Sequence, residues 1–366
     1  MKEKQHLALL ATAVVLIAAA CGGASSSTSS SGASSSGAPF SVKQPWGTFH
    51  LASRIADKVR SHQTINYVFS YQASGIALFS QQYQQGYQRG CEDGQKIYPL
   101  NCSAIAPVQN DANVQLSQIQ AKLAAKQIDC ISIEPTDSDA MTAITNQMMD
   151  QGIPVFTAGV TSRGHEFTNF TQTPMKEGQT AAQTLLNWMQ QTHHNLKVFA
   201  VSGGDPSQFW AQGRMRYFRE TIQKAVPDAK FVNTESNALT VPYDPGKAYD
   251  AAKAFLASHP TVEFLENVDI GAEHAGKAIT NLGRVGKTFT IGWNVSSGQL
   301  DAIESGIQVA ALDQRWPDQA AFGGPACATF LAKGKILPNT QTLRPILKPD
   351  VPAARAELAK TLGGGG

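Results

Sequence analysis

The sequence predicts an α/β protein made of two doubly wound lobes, each a parallel sheet with helices on both faces. Short apolar runs alternate with amphipathic segments through a body of roughly 300 residues, enough for two ordinary domains. The rhythm runs once up to Ala158 and then restarts at Gln179. Alternating β and α units at this spacing give parallel sheets covered on both sides. Ligands of such sheets bind beyond the carboxyl ends of the strands, so two facing lobes would hold a ligand in the cleft between them.

The elements follow in order. Ile65–Ser70 reads as a strand and Ile76–Gly90 as a helix; Ser103–Val108 is a second strand. Asn113–Lys126 is a helix with Leu116, Ile119 and Leu123 on one face. Cys130–Ile133 is a strand, Ser138–Gln151 a helix bearing Met141, Ile144 and Met148, and Val155–Ala158 a fourth strand entered through Gly152 and Pro154. In the second series the helices are Gln179–Gln191, Gln212–Ala225, Gly246–Ser258, Gly271–Leu282 and Gln299–Ser305. Its strands are Val198–Ser202, Lys230–Thr234, Glu263–Glu266, Thr288–Gly292 and Val309–Leu312.

The ends of the chain carry a different message. Lys2 and Lys4 precede an apolar run, Leu7–Ala20, which is short for a membrane span and has the layout of a signal peptide. Cys21 directly after Ala18-Ala19-Ala20 resembles the lipobox of bacterial lipoproteins, which implies a lipid on its thiol; an ordinary signal peptide with an incidental cysteine is the competing reading. Residues 1–20 are thus expected to be a signal peptide. Residues 21–40, almost all Gly, Ala, Ser and Thr, read as a flexible tether. A net charge of +2 with scattered charges offers no basic stripe, so no nucleic acid partner is expected.

Of the other four cysteines, Cys91 and Cys102 flank a helix-to-strand turn and are expected to pair. Cys130 reads as a buried free thiol in a strand, and Cys327 as a small packing residue on a helix. No Cys-x-x-Cys pair is present, which argues against zinc or thiol redox chemistry. The stretch Gly283–Thr288 lacks the first glycine of a phosphate loop and precedes a strand, so it reads as a turn. His193-His194 has no supporting ligand nearby in sequence, and Asp137 and Asp139 read as helix-capping groups. Nothing assembles a nucleophile, a base and an orienting group, so neither catalysis nor a metal or other cofactor is expected.

The run Glu134-Pro135-Thr136-Asp137-Ser138-Asp139-Ala140, preceded by Ile131 and Ile133, closely resembles the ribose-type bacterial periplasmic binding proteins. Further matches follow in order: Gly152-Ile153-Pro154-Val155, Arg214 with Phe218, Ser258-His259-Pro260, Asn267, Gly292-Trp293-Asn294, and Gln314 with Pro317-Asp318-Gln319. The resemblance covers about residues 63 to 350. It implies a type I fold with two lobes joined by a three-strand hinge. The first lobe would hold residues 63–171 and 316–341, the second 172–315 and 342–352, leaving 353–366 as a tail.

The resemblance also implies a site. Asn267, Asn294 and Gln314 match polar sugar-contacting positions, Gln212 matches a sugar-binding arginine, and Tyr243 and Phe79 match aromatic contacts. Tyr71, Gln72 and Ser74 fall in the loop after the first strand, which lines the cleft. Rings and amides suit sugars, whose C–H faces stack while their hydroxyls need donors and acceptors. In the competing reading Tyr243 and Phe79 merely pack, and Asn267 and Asn294 merely shape strand ends. Gly159 and Val160 stand where the ribose receptor has an Asp-Arg pair, which implies a pocket short of charge and a neutral sugar, polyol or furanosyl ligand. Trp210, Trp293, Trp316, Arg163 and Arg315 are expected to fill part of the gap. The implied function is an exported, lipid-anchored, monomeric solute receptor for an ABC permease, on the outer face of the cytoplasmic membrane or in the periplasm. The alternative is a sensor of the same fold feeding a signalling receptor.

Overall fold

The structure, a computed structural model, describes residues 41–363 apart from residue 342. The leader, Cys21, the 21–40 tether and the last three glycines lie outside the described residues. The described residues open with a hairpin, β1 (Ser41–Gln44) and β2 (Gly47–His50), and the helix α1 (Ser53–Arg60). The first α/β series is β3 (Ile65–Ser70), α2 (Ala77–Gln95), β4 (Leu100–Ile105), α3 (Ala112–Ala124), β5 (Cys130–Ile133), α4 (Ser138–Asp150), β6 (Val155–Ala158) and β7 (Asn169–Phe170). The second is α5 (Pro174–Thr192), β8 (Val198–Gly203), α6 (Phe209–Ala225), β9 (Lys230–Phe231), β10 (Leu239–Thr240), α7 (Pro245–Ser258), β11 (Phe264–Asn267), α8 (Ala272–Asn281), β12 (Phe289–Trp293), α9 (Ser297–Glu304) and β13 (Gln308–Asp313). Three elements close the chain: α10 (Trp316–Lys333), β14 (Arg344–Ile346) and α11 (Val351–Gly363).

The first sheet is parallel, in the order β4-β3-β5-β6-β7. The second runs β10-β8-β11-β12-β13-β14, with β9 also on β8; only β14 is antiparallel. Both sheets reverse their winding beside their first strand, between β3 and β5 and between β8 and β11. These are the topological switch points, where an open α/β sheet leaves a crevice. The chain passes between the sheets three times, at 171–173, 314–315 and 334–343, giving the two-lobed type I architecture. Strands β5 and β6 are buried along their whole length, as strands covered on both faces must be. Among the described residues no helix is long and apolar enough to cross a membrane.

Four expectations are corrected. The first lobe starts before residue 63, because Phe49, Leu51 and Ile55 enter its core. Lys58 donates to buried Asp129 at 2.6 Å, and Arg54 pairs with the same carboxylate. Residues 353–363 are not a tail. Val351, Ala354 and Leu358 share one helical face of α11 and bury against Leu300, Ile303 and Ile346. Cys130 is not a free thiol and Cys327 does not merely pack, because the two form a disulfide with their Cα atoms 6.0 Å apart. Residues 197 apart in sequence meet because α10 returns to the first sheet and lies over β5, a juxtaposition that only the chain's last crossing creates.

Cys91 and Cys102 are also bonded, Cα to Cα 6.2 Å, tying α2 to β4. By loop-closure entropy the long bridge would stabilise by about 5 kcal/mol and the short one by about 3.

Candidate functional site

The carboxyl ends of both sheets face one interlobe cleft. Its first-lobe wall comprises Gln72 after β3, Ile76 and Phe79 at the start of α2, Asn110, Glu134 after β5, Gly159-Val160 after β6, and Trp316 and Gln319 on α10. The second-lobe wall comprises Trp210 and Arg214 on α6, Tyr243, Asp269-Ile270 after β11, Asn294 after β12 and Gln314 after β13. The centre of a water-sized sphere can move through about 60 Å³ of it. A water needs roughly 10–15 Å³ on that measure, so the space suits one small ring or a few waters.

Each switch point holds a buried carboxyl built the same way. Glu134 accepts the Gln72 backbone N–H at 3.1 Å and faces the Tyr83 hydroxyl. Asp269 accepts the Gly204 N–H at 3.1 Å and the Ile270 N–H at 2.7 Å, and faces the Tyr243 hydroxyl. Burial pushes both carboxyls above the usual carboxylate range, and these hydrogen bonds only partly oppose it. The approach of Tyr243 requires a glycine at 204, since a Cβ there would lie 2.6 Å from its ring. Gly159 sits at φ +70, where a side chain would be strained and would meet Tyr83 and Gln319 at 2.9 Å.

On the first lobe the wall is aromatic. The Phe79 ring lies 4.3 Å from Tyr83 and 5.0 Å, edge-on, from Trp316. On the second lobe a polar relay dominates. Trp210 and Arg214, four residues apart on α6, share a helix face, and the guanidinium sits 4.6 Å from the Trp210 ring and 4.1 Å from Trp293. Arg214 Nε donates to Glu177 Oε2 at 2.8 Å, and Nη1 donates to the Val268 carbonyl. The other Glu177 oxygen accepts from Gln314 Nε2 at 3.2 Å, and Gln314 Oε1 accepts from Asn294 Nδ2 at 3.2 Å.

A carboxylate only accepts, so Glu177 fixes which way each amide points. The last member, Asn294, is left with Oδ1 buried, on the cleft and without a partner. Its backbone stands at φ +65, a left-handed conformation that few residues other than glycine adopt. Asn110 Oδ1, on the opposite wall, is likewise buried and unpartnered.

Of the residues expected from sequence, Gln72, Phe79, Tyr243, Asn294 and Gln314 line this cleft. Four stand off it. Tyr71 is buried behind Phe79, stacked on Phe69. Ser74 is exposed and donates to the Pro107 carbonyl. Gln212 spends its amide on the Pro206 and Glu235 carbonyls. Asn267 shapes the strand end: Nδ2 donates to Ser202 Oγ, and Oδ1 accepts the Asp269 and Gly271 N–H groups. The expectation of a pocket short of charge is also corrected, because Glu134, Asp269 and Arg214 all line it. Glu134 and Arg214 were visible only as motif members. Asp269 follows a strand end at the switch point, which is the one signal that could have found it.

The periplasmic binding protein domain family matches residues 67–335. A search of curated proteins finds no significant match. Among solved structures, a myo-inositol binding protein from Caulobacter, bound to myo-inositol, superposes with TM-score 0.67 at 17% identity, over 81% of this chain and 96% of that one. A glucose-galactose binding protein from Geobacillus stearothermophilus gives 0.67 at 18%, over 79% of this chain and 99% of that one. A sugar-binding protein of a sugar ABC transporter from Bacillus halodurans gives 0.66 at 18%, over 80% and 100%. These likenesses concern the fold. With the family match spanning most of the body, the chain belongs to the periplasmic binding protein domain family.

Proposed function

We propose that this chain is an extracytoplasmic solute receptor that captures a small hydroxyl-rich ligand, a sugar or polyol, and presents it to an ABC permease. The observation that carries the reading is Asn294, a cleft-lining residue held by a polarised relay whose Oδ1 is buried and unpartnered. A buried polar atom left unpaired costs about 1–3 kcal/mol, so its partner is expected from the ligand. Asn110 Oδ1, Glu134 and Asp269 add acceptors on both walls, while Phe79, Trp316, Trp210 and Tyr243 offer faces to C–H surfaces. The names of the structural relatives, receptors for myo-inositol and for glucose and galactose, support the same class. A ligand touching both walls favours the closed arrangement by its differential contacts, which is how closure would follow binding. In keeping with membership of a binding-protein family, the bound molecule would be released unchanged. Cys21 would carry the lipid that holds the receptor beside its permease.

Calorimetry of the mature protein against pentoses, hexoses and inositols tests the reading. Saturable binding to at least one member is expected. Binding only to amino acids or metal ions would overturn it. Mass spectrometry of the mature N-terminus tests the anchor, and an unmodified Cys21 would remove it.

A further inference from the structure

A second and larger interlobe space adjoins the cleft. It measures about 690 Å³ and shares Gly159, Val160 and Trp210 with the inner cleft as lining. Its walls come from both lobes: Thr161 and Asn169 on one side, Pro174 and Met175 at the start of α5 and Phe209 at the start of α6 on the other. Met175 and Phe209 are two of six large hydrophobic side chains exposed among the described residues, at 41% and 46%.

The two spaces differ in what they leave free. In the inner cleft, acceptors are buried and unpartnered. In the outer space several polar side chains are already committed to protein, although Thr171 Oγ1 is buried without a partner. Gln212 donates to two carbonyls, Asn339 donates to the Thr171 carbonyl at 2.6 Å, Thr161 donates to Glu166, and Glu235 is held by Arg219. Both Glu177 oxygens are used by the relay. A guest there gains by covering apolar surface and finds little to hydrogen-bond.

Resting on the reading of the inner cleft as a sugar or polyol site, we propose that this outer space is a second subsite and that the ligand is a glycoside: its sugar ring fills the inner cleft and an apolar aryl or alkyl substituent fills the space beside Val160, Met175, Phe209 and Trp210. A substituent there also touches both lobes and so adds to the drive for closure.

The test compares glucose, galactose, arabinose and xylose with their phenyl glycosides by calorimetry on the mature protein. For the sugar that binds, the phenyl glycoside is expected to bind roughly tenfold tighter or more, from the aromatic area removed from water. Met175→Asp places a charge in the outer space at a helix start that tolerates it. It is expected to cut the preference to threefold or less, with free-sugar affinity and melting temperature nearly unchanged. Phe209→Ala is the second variant and is expected to reduce the preference in the same direction. Equal affinity of free sugar and glycoside in the wild type, or a preference untouched by both variants, overturns the subsite while leaving the sugar reading standing. No binding of any of these sugars in either form overturns the glycoside proposal, and the sugar or polyol reading falls with it only if the inositols also fail to bind.

Discussion

The two lobes solve one problem at their switch points and then diverge. Glu134 and Asp269 are equivalent: each follows the strand next to the winding reversal, accepts a backbone N–H from the end of the lobe's first strand, and meets a tyrosine. Around this shared device the first lobe is built from packing and covalent bonds. It holds both disulfides of the described residues and the ring cluster of Phe69, Tyr71, Phe79, Tyr83 and Trp316. The second lobe relies on a directed polar relay from Arg214 through Glu177 and Gln314 to Asn294. Packing fixes where a wall stands, whereas a relay also fixes which atoms it presents. On this view the first lobe supplies a rigid face and the second lobe supplies selectivity.

The comparison can be broken at its strongest point first. Cys327→Ser is expected to cost up to about 5 kcal/mol of unfolding free energy, against about 3 for Cys91→Ser. Denaturant titration measures both, and equal losses would deny the long bridge its special place in the first lobe. Glu177→Ala leaves Arg214 buried without its partner and is expected to destabilise by about 3–5 kcal/mol. It should also weaken ligand binding, because Gln314 and Asn294 lose their orientation. Full stability with unchanged affinity would dismantle the relay.

Asn294→Ala is expected to weaken binding roughly 5- to 150-fold, corresponding to about 1–3 kcal/mol for an unpaired ligand group. Asn267→Ala should lower stability with little direct effect on affinity, because its bonds are all within the strand end. The reverse pattern would exchange their roles.

The last effect, one of pH, concerns Glu266 on β11, wholly buried, with neither carboxyl oxygen partnered. Burial raises its proton affinity well above the ordinary range, against the pull of Arg214. The folded state therefore holds this proton more tightly than the unfolded state, where the group titrates near about 4.3. Its contribution to stability is full below that value and is lost as pH rises toward the folded value. Glu266→Gln should flatten the decline in stability above pH about 5 by up to about 1.4 kcal/mol per pH unit. Identical pH profiles for wild type and variant would show that Glu266 does not titrate differently on folding.

Much of this architecture is legible in the sequence. The periods of two and near four residues marked nearly every strand and helix of the two series, because burial on one face must repeat with the element's own geometry. One helix start announced itself too: Asp137 caps α4 by accepting the Ala140 N–H, whereas Asp139, expected to cap beside it, lies in the first turn and pairs with Arg163. The family resemblance pointed to Phe79, Tyr243, Asn294 and Gln314, and the position of Gln72 in the loop after the first strand pointed to it; all five line the cleft.

What local pattern could not give is anything that depends on distant segments meeting. Cys130 looks like a free core thiol until α10 crosses back over β5. Asn267 and Asn294 end neighbouring strands and look alike in sequence, yet one folds its amide into its own turn while the other lines the cleft and is held by a chain of partners ending at Glu177. The sequence by itself determined the alternation of elements, the two lobes and the strand ends where a ligand must lie, because these follow from short-range periodicity and handed connections. Only the tertiary structure decided which polar atoms are spent and which remain free, because hydrogen-bond satisfaction is settled across the whole fold.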